Sequence, residues 1–126
     1  MDSSDFFCPG RARELLIRLV EIESVTDDED RACDYLTRVL GSFGWAGARR
    51  DEAGNVAATR GPSTGREMVL MGHIDTVPGG PPCRVEGDVL WGRGSVDAKG
   101  PLCAFIAGGG AAAIPEGWRL TLIAAV

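Results

Sequence analysis

The sequence predicts an α/β domain, a mixed sheet flanked by helices, and three observations carry that expectation. Two amphipathic stretches near the N-terminus have helical period. Two short apolar runs, at residues 68–71 and 120–126, have the length of buried strands, and the apolar run after Pro101 reads as a buried helix. The length of 126 residues suits one domain. Hydrophobic residues at 44% and charged residues at 25% are an ordinary globular mix, which excludes a disordered tail and a membrane bundle.

The elements follow in order. Residues 9–23 set Leu15, Leu16, Leu19 and Val20 on one stripe with arginines and glutamates opposite, the pattern of a packing helix. Thr26 followed by Glu29 has the spacing of a capping box and starts a second helix. That helix turns Ala32, Leu36, Val39 and Leu40 inward and stops at Gly41 as its C′ glycine. The run Asp27–Asp30 reads as its solvated start rather than as a metal site. From Trp45 to Arg60 the pattern is extended and turns at Ala53-Gly54-Asn55.

Residues 61–65 are a loop, and Met68–Met71 is a short buried strand that runs into the polar, glycine-rich Gly72–Gly80. Residues 83–91 form a small hairpin turning at Glu86-Gly87-Asp88. A second polar loop, Gly92–Gly100, leads to the helix that Pro101 starts. Leu102, Cys103, Phe105 and Ile106 make that helix largely buried, and the triple glycine 108–110 marks close packing or a break. Leu120–Val126 is a buried strand on which the chain stops without a turn, cap or polar tail.

Charge and cysteine narrow the function classes. The net charge is −5, and residues 1–34 hold ten acids against four arginines. No basic stripe exists, so nucleic acid is excluded as a partner. The longest apolar stretch, Leu102–Ala107, falls far short of the ~20 residues of a membrane span. Cys8, Cys33, Cys83 and Cys103 are widely spaced with no CxxC pair, and the opening MDSSDFF is acidic where a signal peptide is basic; a reduced, cytoplasmic setting is expected. Glycine supplies 18 residues, about twice its usual share of ~7%, many of them within 72–110.

His73 is the sole histidine. Asp75, two positions on in extended backbone, shares its face and can orient the imidazole from behind, as ligating histidines require. Asp97 offers an oxygen ligand, or is a turn aspartate bonding its own backbone. Both loops sit where α/β sheets place their sites, His73 and Asp75 beyond the end of a strand. Other site types fit poorly. Gly92-x-Gly94 lacks the third glycine of a dinucleotide fingerprint, and Gly94 with Lys99 lacks the ending of a P-loop. Ser95 with His73 lacks a nucleophile elbow, and no partner activates Cys83 or Cys103.

The segments MGHIDTVPGG (71–80) and WGRGSVDAKGP (91–101), separated by a short hairpin, strongly resemble the dinuclear zinc hydrolases of the M20 peptidase family, which includes acetylornithine deacetylase, succinyl-diaminopimelate desuccinylase and glutamate carboxypeptidase. GHIDTVPG, RGSVDAKGP and the following LCAFI are most similar to the branch that releases lysine or ornithine from an amino-group carrier protein in lysine and arginine biosynthesis. The resemblance implies a zinc-peptidase-like catalytic domain and a metal-dependent amide hydrolase with two Zn²⁺ (Co²⁺ being the alternative) per complete site. It makes His73 a ligand to one ion, Asp97 the bridge between two, and Asp75 the catalytic carboxylate behind His73; the paired ions activate water and polarise the scissile amide. It also implies a strained or cis peptide after Asp97, a small amino-acid-derived substrate or the carrier protein as partner, and a homodimer for the complete enzyme.

The family's glutamate pair, its later acidic and histidine ligands and its lid domain have no counterpart in residues 1–126, so the chain is expected to be the N-terminal portion of the catalytic domain. A catalytic zinc takes three protein ligands where His73 and Asp97 give two, and loss of a general base alone removes about 10²–10⁴-fold. Weak metal binding and no useful hydrolysis are expected of residues 1–126 alone, with Leu120–Val126 left as an open strand edge. The alternatives are a non-catalytic remnant or partner-binding fragment, and a serine hydrolase built on Ser95 and His73.

Overall fold

The computed structural model describes residues 8–126; the acidic opening MDSSDFF lies outside the described residues. Pro9, whose missing N–H is no loss in a first turn, begins helix α1 (Pro9–Glu21), which buries Leu15, Leu19 and Val20. Helix α2 (Asp30–Val39) buries Ala32, Cys33 and Leu36 but starts four residues after Thr26, with no side-chain cap. The capping box is therefore not formed. A turn intervenes, closed by the Asp28 N–H on the Val25 carbonyl (2.7 Å), with Asp27 at φ 71° and its N–H donating to the Glu29 carboxylate (2.9 Å).

Nor does the second helix end at Gly41. A 3-10 turn, Leu40–Phe43, extends it to Gly44 at φ 91°. There a Cβ would press on the Gly110 carbonyl oxygen at 2.8 Å, so Gly44 satisfies both the left-handed turn and the close approach. Asp30 at the start of α2 reaches out to Arg50 (3.1 Å), as a solvated helix start should.

The strands are β1 (Ala46–Arg50), β2 (Val56–Arg60), β3 (Arg66–His73), β4 (Arg84–Glu86), β5 (Val89–Trp91) and β6 (Trp118–Ala125), with α3 (Lys99–Ala111) between β5 and β6. Four of them form one sheet in the order β1-β2-β6-β3, and β4–β5 is a separate hairpin. β1–β2 and β2–β6 are antiparallel and β3–β6 parallel, so the sheet is mixed. Turn 51–55 is fixed by the Asp51 carboxylate, which accepts from the Ala53 and Asn55 N–H groups (2.9 Å each).

Two strand expectations need correction. Residues 68–71 are not a buried strand but part of the eight-residue β3, and Met68, Val69 and Met71 are exposed, Met71 at 62%. The reason is position: β3 is the sheet's edge, and α3 covers it at Leu70 and Gly72, which approach Gly109 and Leu102. β6 is conversely not an open edge. It lies between β2 and β3, and only Leu122 and Ala124 are buried.

The core lies on the helix side of the sheet, where Leu15, Leu19, Leu36, Val56, Ala58, Ile106 and Leu122 meet. Trp45 is locked in it by its indole N–H on the Ile106 carbonyl (2.9 Å). The triple glycine is packing, not a break. α3 runs through it, a Cβ on Gly109 would meet Trp45 at 2.8 Å, and one on Gly110 would overlap the Phe43 carbonyl. Among the described residues, no helix is long and apolar enough to cross a membrane.

Candidate active site

β3 and β6 are parallel neighbours with α3 crossing between them, so the carboxyl end of β3 and the N-terminus of α3 face the same space. His73 is the last residue of β3, and Asp97 stands two residues before α3, where the helix's positive end favours a carboxylate. The two side chains meet: His73 Nε2 lies 2.9 Å from Asp97 Oδ1. The Asp97–Ala98 peptide is cis, as the family resemblance implied.

Asp75 occupies the other side of the ring. His73 Nδ1 is 2.9 Å from the Asp75 carbonyl oxygen and 3.2 Å from its Oδ1. Partial burial draws the imidazole pKa down, but the bonds to the Asp75 carbonyl and the Asp97 carboxylate and the charges of both aspartates outweigh it and leave the ring above its ordinary value. The three residues line one cleft of about 310 Å³ with Thr76, Val77 and Ser95. A larger groove of about 570 Å³, between α1, α3 and the β4–β5 hairpin, is apolar and holds none of them.

This arrangement decides between several sequence-based alternatives. Asp97 faces His73 across the cleft rather than closing its own turn. His73 Nε2 faces Asp97 and not Ser95, so the serine–histidine pair is not assembled. With the ring proton on Nδ1 toward Asp75, Nε2 and Asp97 Oδ1 present their lone pairs to one space; a ring protonated at both nitrogens donates from Nε2 to Asp97 instead. One imidazole nitrogen and one carboxylate oxygen suit zinc. Among the described residues no group of three or more His, Cys, Asp or Glu side chains converges to hold an ion; His73 and Asp97 are a pair.

Two supporting residues escaped the sequence reading. Thr26 donates its hydroxyl to Asp75 Oδ2 (2.7 Å); its spacing from Glu29 had a competing local explanation as a cap. Lys99 is buried at the start of α3, and burial lowers its pKa to about 8. The one signal for it was a lysine inside an otherwise apolar, buried helix.

The M20/M25/M40 peptidase family model matches residues 69–113, the segment that carries His73, Asp75 and Asp97. Over that segment the chain matches this family. The chain is 51% identical over 92 residues to a Thermococcus kodakarensis protein provisionally named LysW-lysine/LysW-ornithine hydrolase, covering 73% of the chain and 26% of that relative. It is 48% identical over 97 residues to the LysW-lysine hydrolase of Deinococcus radiodurans, covering 76% and 26% respectively. The chain thus spans about a quarter of the length of these relatives. A solved structure of similar fold is the M20 family metallo-carboxypeptidase Sso-CP2 of Sulfolobus solfataricus, with TM-score 0.69 at 17% identity, covering 90% of the chain and 30% of that protein.

Proposed function

We propose that the chain is the N-terminal portion of the catalytic domain of a metal-dependent amide hydrolase, one that releases lysine or ornithine from an amino-group carrier protein. The observation that carries this reading is the convergence of His73 Nε2 and Asp97 Oδ1 at 2.9 Å, in the segment matched by the peptidase family. The names of the relatives support the substrate class.

In this reading His73 would hold one ion through Nε2 and Asp97 would give its carboxylate to the ion pair, with zinc, or cobalt, as the metal. When bound, the paired ions supply an activated water and a polarised amide carbonyl. The chain's own residues orient and exclude. Asp75 keeps the ring proton on Nδ1 and turns Nε2 toward Asp97, which raises the basicity of the ligand nitrogen. Asp97, at the N-terminus of α3, holds its charge where the helix favours it. A catalytic zinc takes three protein ligands, so further donors and the general base join from outside the described residues, and the chain alone is inactive. The setting is cytoplasmic and the complete enzyme a homodimer.

The test is a graft. Residues 24–113 replace the corresponding segment of the Deinococcus radiodurans LysW-lysine hydrolase, and release of lysine from the carrier is measured with and without a chelator. Chelator-sensitive turnover that is lost in His73→Ala and Asp97→Ala is expected. A folded, metal-loaded chimera that releases no lysine, or one whose turnover survives thorough chelation, contradicts the reading.

A further inference from the structure

One short segment reaches both loops of the site. Residues 22–26, which follow α1, pair with the chain beyond β3 through a parallel bridge of Val25 with Thr76. The Thr76 N–H donates to the Ser24 carbonyl (2.8 Å) and the Thr26 N–H to the Thr76 carbonyl (3.2 Å). The buried Ser24 hydroxyl donates to the Ile74 carbonyl (2.7 Å). Lys99 serves the other loop. It is 1% exposed, and its Nζ donates to the carbonyls of Leu19 (2.8 Å) and Ile22 (2.7 Å), at the end of α1 where no helical N–H arrives. Its backbone N–H holds the Gly94 carbonyl (2.9 Å), at the root of the loop that carries Asp97.

Thr26 is the end of this segment that touches chemistry. Its side chain is exposed, so water competes for the hydroxyl, and the backbone pairing of 24–26 is what aims it at Asp75. Asp75 is thereby held at both carboxylate oxygens: Oδ2 accepts from Thr26 (2.7 Å) and Oδ1 faces His73 Nδ1 (3.2 Å), beside the Asp75 carbonyl that accepts from the same nitrogen (2.9 Å). A carboxylate so held cannot rotate without giving up both contacts. The ring in turn keeps Nε2 on Asp97 (2.9 Å).

We infer that Thr26 is a positioning residue, which through Asp75 fixes the ring proton of His73 on Nδ1 and so presents Nε2 to the space shared with Asp97. The ligand role of Nε2 rests on the proposed metal reading; the relay Thr26–Asp75–His73 does not.

The experiment uses the 126-residue chain, in which His73 is the sole histidine and its ring signals are unambiguous. Ring nitrogen shifts are recorded without metal at one fixed alkaline pH for the wild type, Thr26→Val and Thr26→Ser, with backbone amide spectra to establish the fold. The wild type and Thr26→Ser should show the Nδ1–H tautomer, and Thr26→Val a larger share of the Nε2–H form, short of a free imidazole because the Asp75 carbonyl (2.9 Å) still accepts from Nδ1. Thr26→Ala stands in should the valine disturb the fold. Zn²⁺ titration, read at the same ring, should show about tenfold weaker binding in Thr26→Val and no more than about twofold weaker in Thr26→Ser. An unchanged tautomer in the variants lacking the hydroxyl overturns the inference, as does equal zinc affinity. Zinc that leaves His73 unmoved in the wild type refutes the metal reading instead, and the tautomer comparison still decides the role of Thr26.

Discussion

The two loops that meet at the site are held by different means. The chain after β3 is zipped by backbone pairing to residues 24–26, with one buried hydroxyl, that of Ser24, as a supplement. The loop before α3 is anchored by one buried side chain, Lys99, whose partners lie 77 and 80 residues away in sequence, with the exposed Arg93 adding a bond to the Gly79 carbonyl (2.9 Å). Backbone pairing spreads its loss over several bonds. A buried lysine does not, since removing it leaves two carbonyls unsatisfied at once.

The sharpest way to break this comparison is Lys99→Met against Ser24→Ala. The methionine keeps the volume but leaves the Leu19 and Ile22 carbonyls unpartnered, and should cost about 2–4 kcal/mol in urea unfolding, against about 1 kcal/mol for the serine. Equal costs would show that the loops are held alike. The middle of the range tests how α3, which carries the second loop, is seated. Gly110→Ala drives a Cβ into the Phe43 carbonyl and should destabilise by about 1–3 kcal/mol. The smallest effect is its neighbour's: a Cβ on Gly108 meets nothing within 4 Å, so Gly108→Ala should stabilise the helix by about 0.5–1 kcal/mol. A stabilising Gly110→Ala would show that α3 is not pressed on the 3-10 turn.

The same contrast explains what was legible in the sequence. The helices, the hairpin at 46–60 and the polar loops announce themselves by period and turn residues, which are local signals. His73, Asp75 and Asp97 stand in two glycine-rich segments whose pattern resembles a known family, so their meeting was foreseeable. What failed were features set by distant partners. Thr26 and Glu29 match a capping box, yet the turn at 25–28 and the pull of Asp75 win. Met68–Met71 has the composition of a buried strand, but composition does not say that β3 lies at the edge. Gly41 looks like a helix stop, while the contact between Gly44 and the Gly110 carbonyl places the stop three residues on. Lys99 stands out only as a lysine in an otherwise apolar helix, and nothing local names its partners, because they are the end of a helix far back in the chain.

The claim on which the account turns is that His73 and Asp97 share a cation. Zinc titration of the chain, followed at the ring nitrogens of the one histidine, tests it directly when repeated on Asp97→Ala. The account predicts that zinc displaces the Nε2 signal in the wild type and that the alanine variant needs at least about tenfold more metal for the same displacement. A displacement of equal size at equal zinc in both proteins, or none in the wild type, would contradict it.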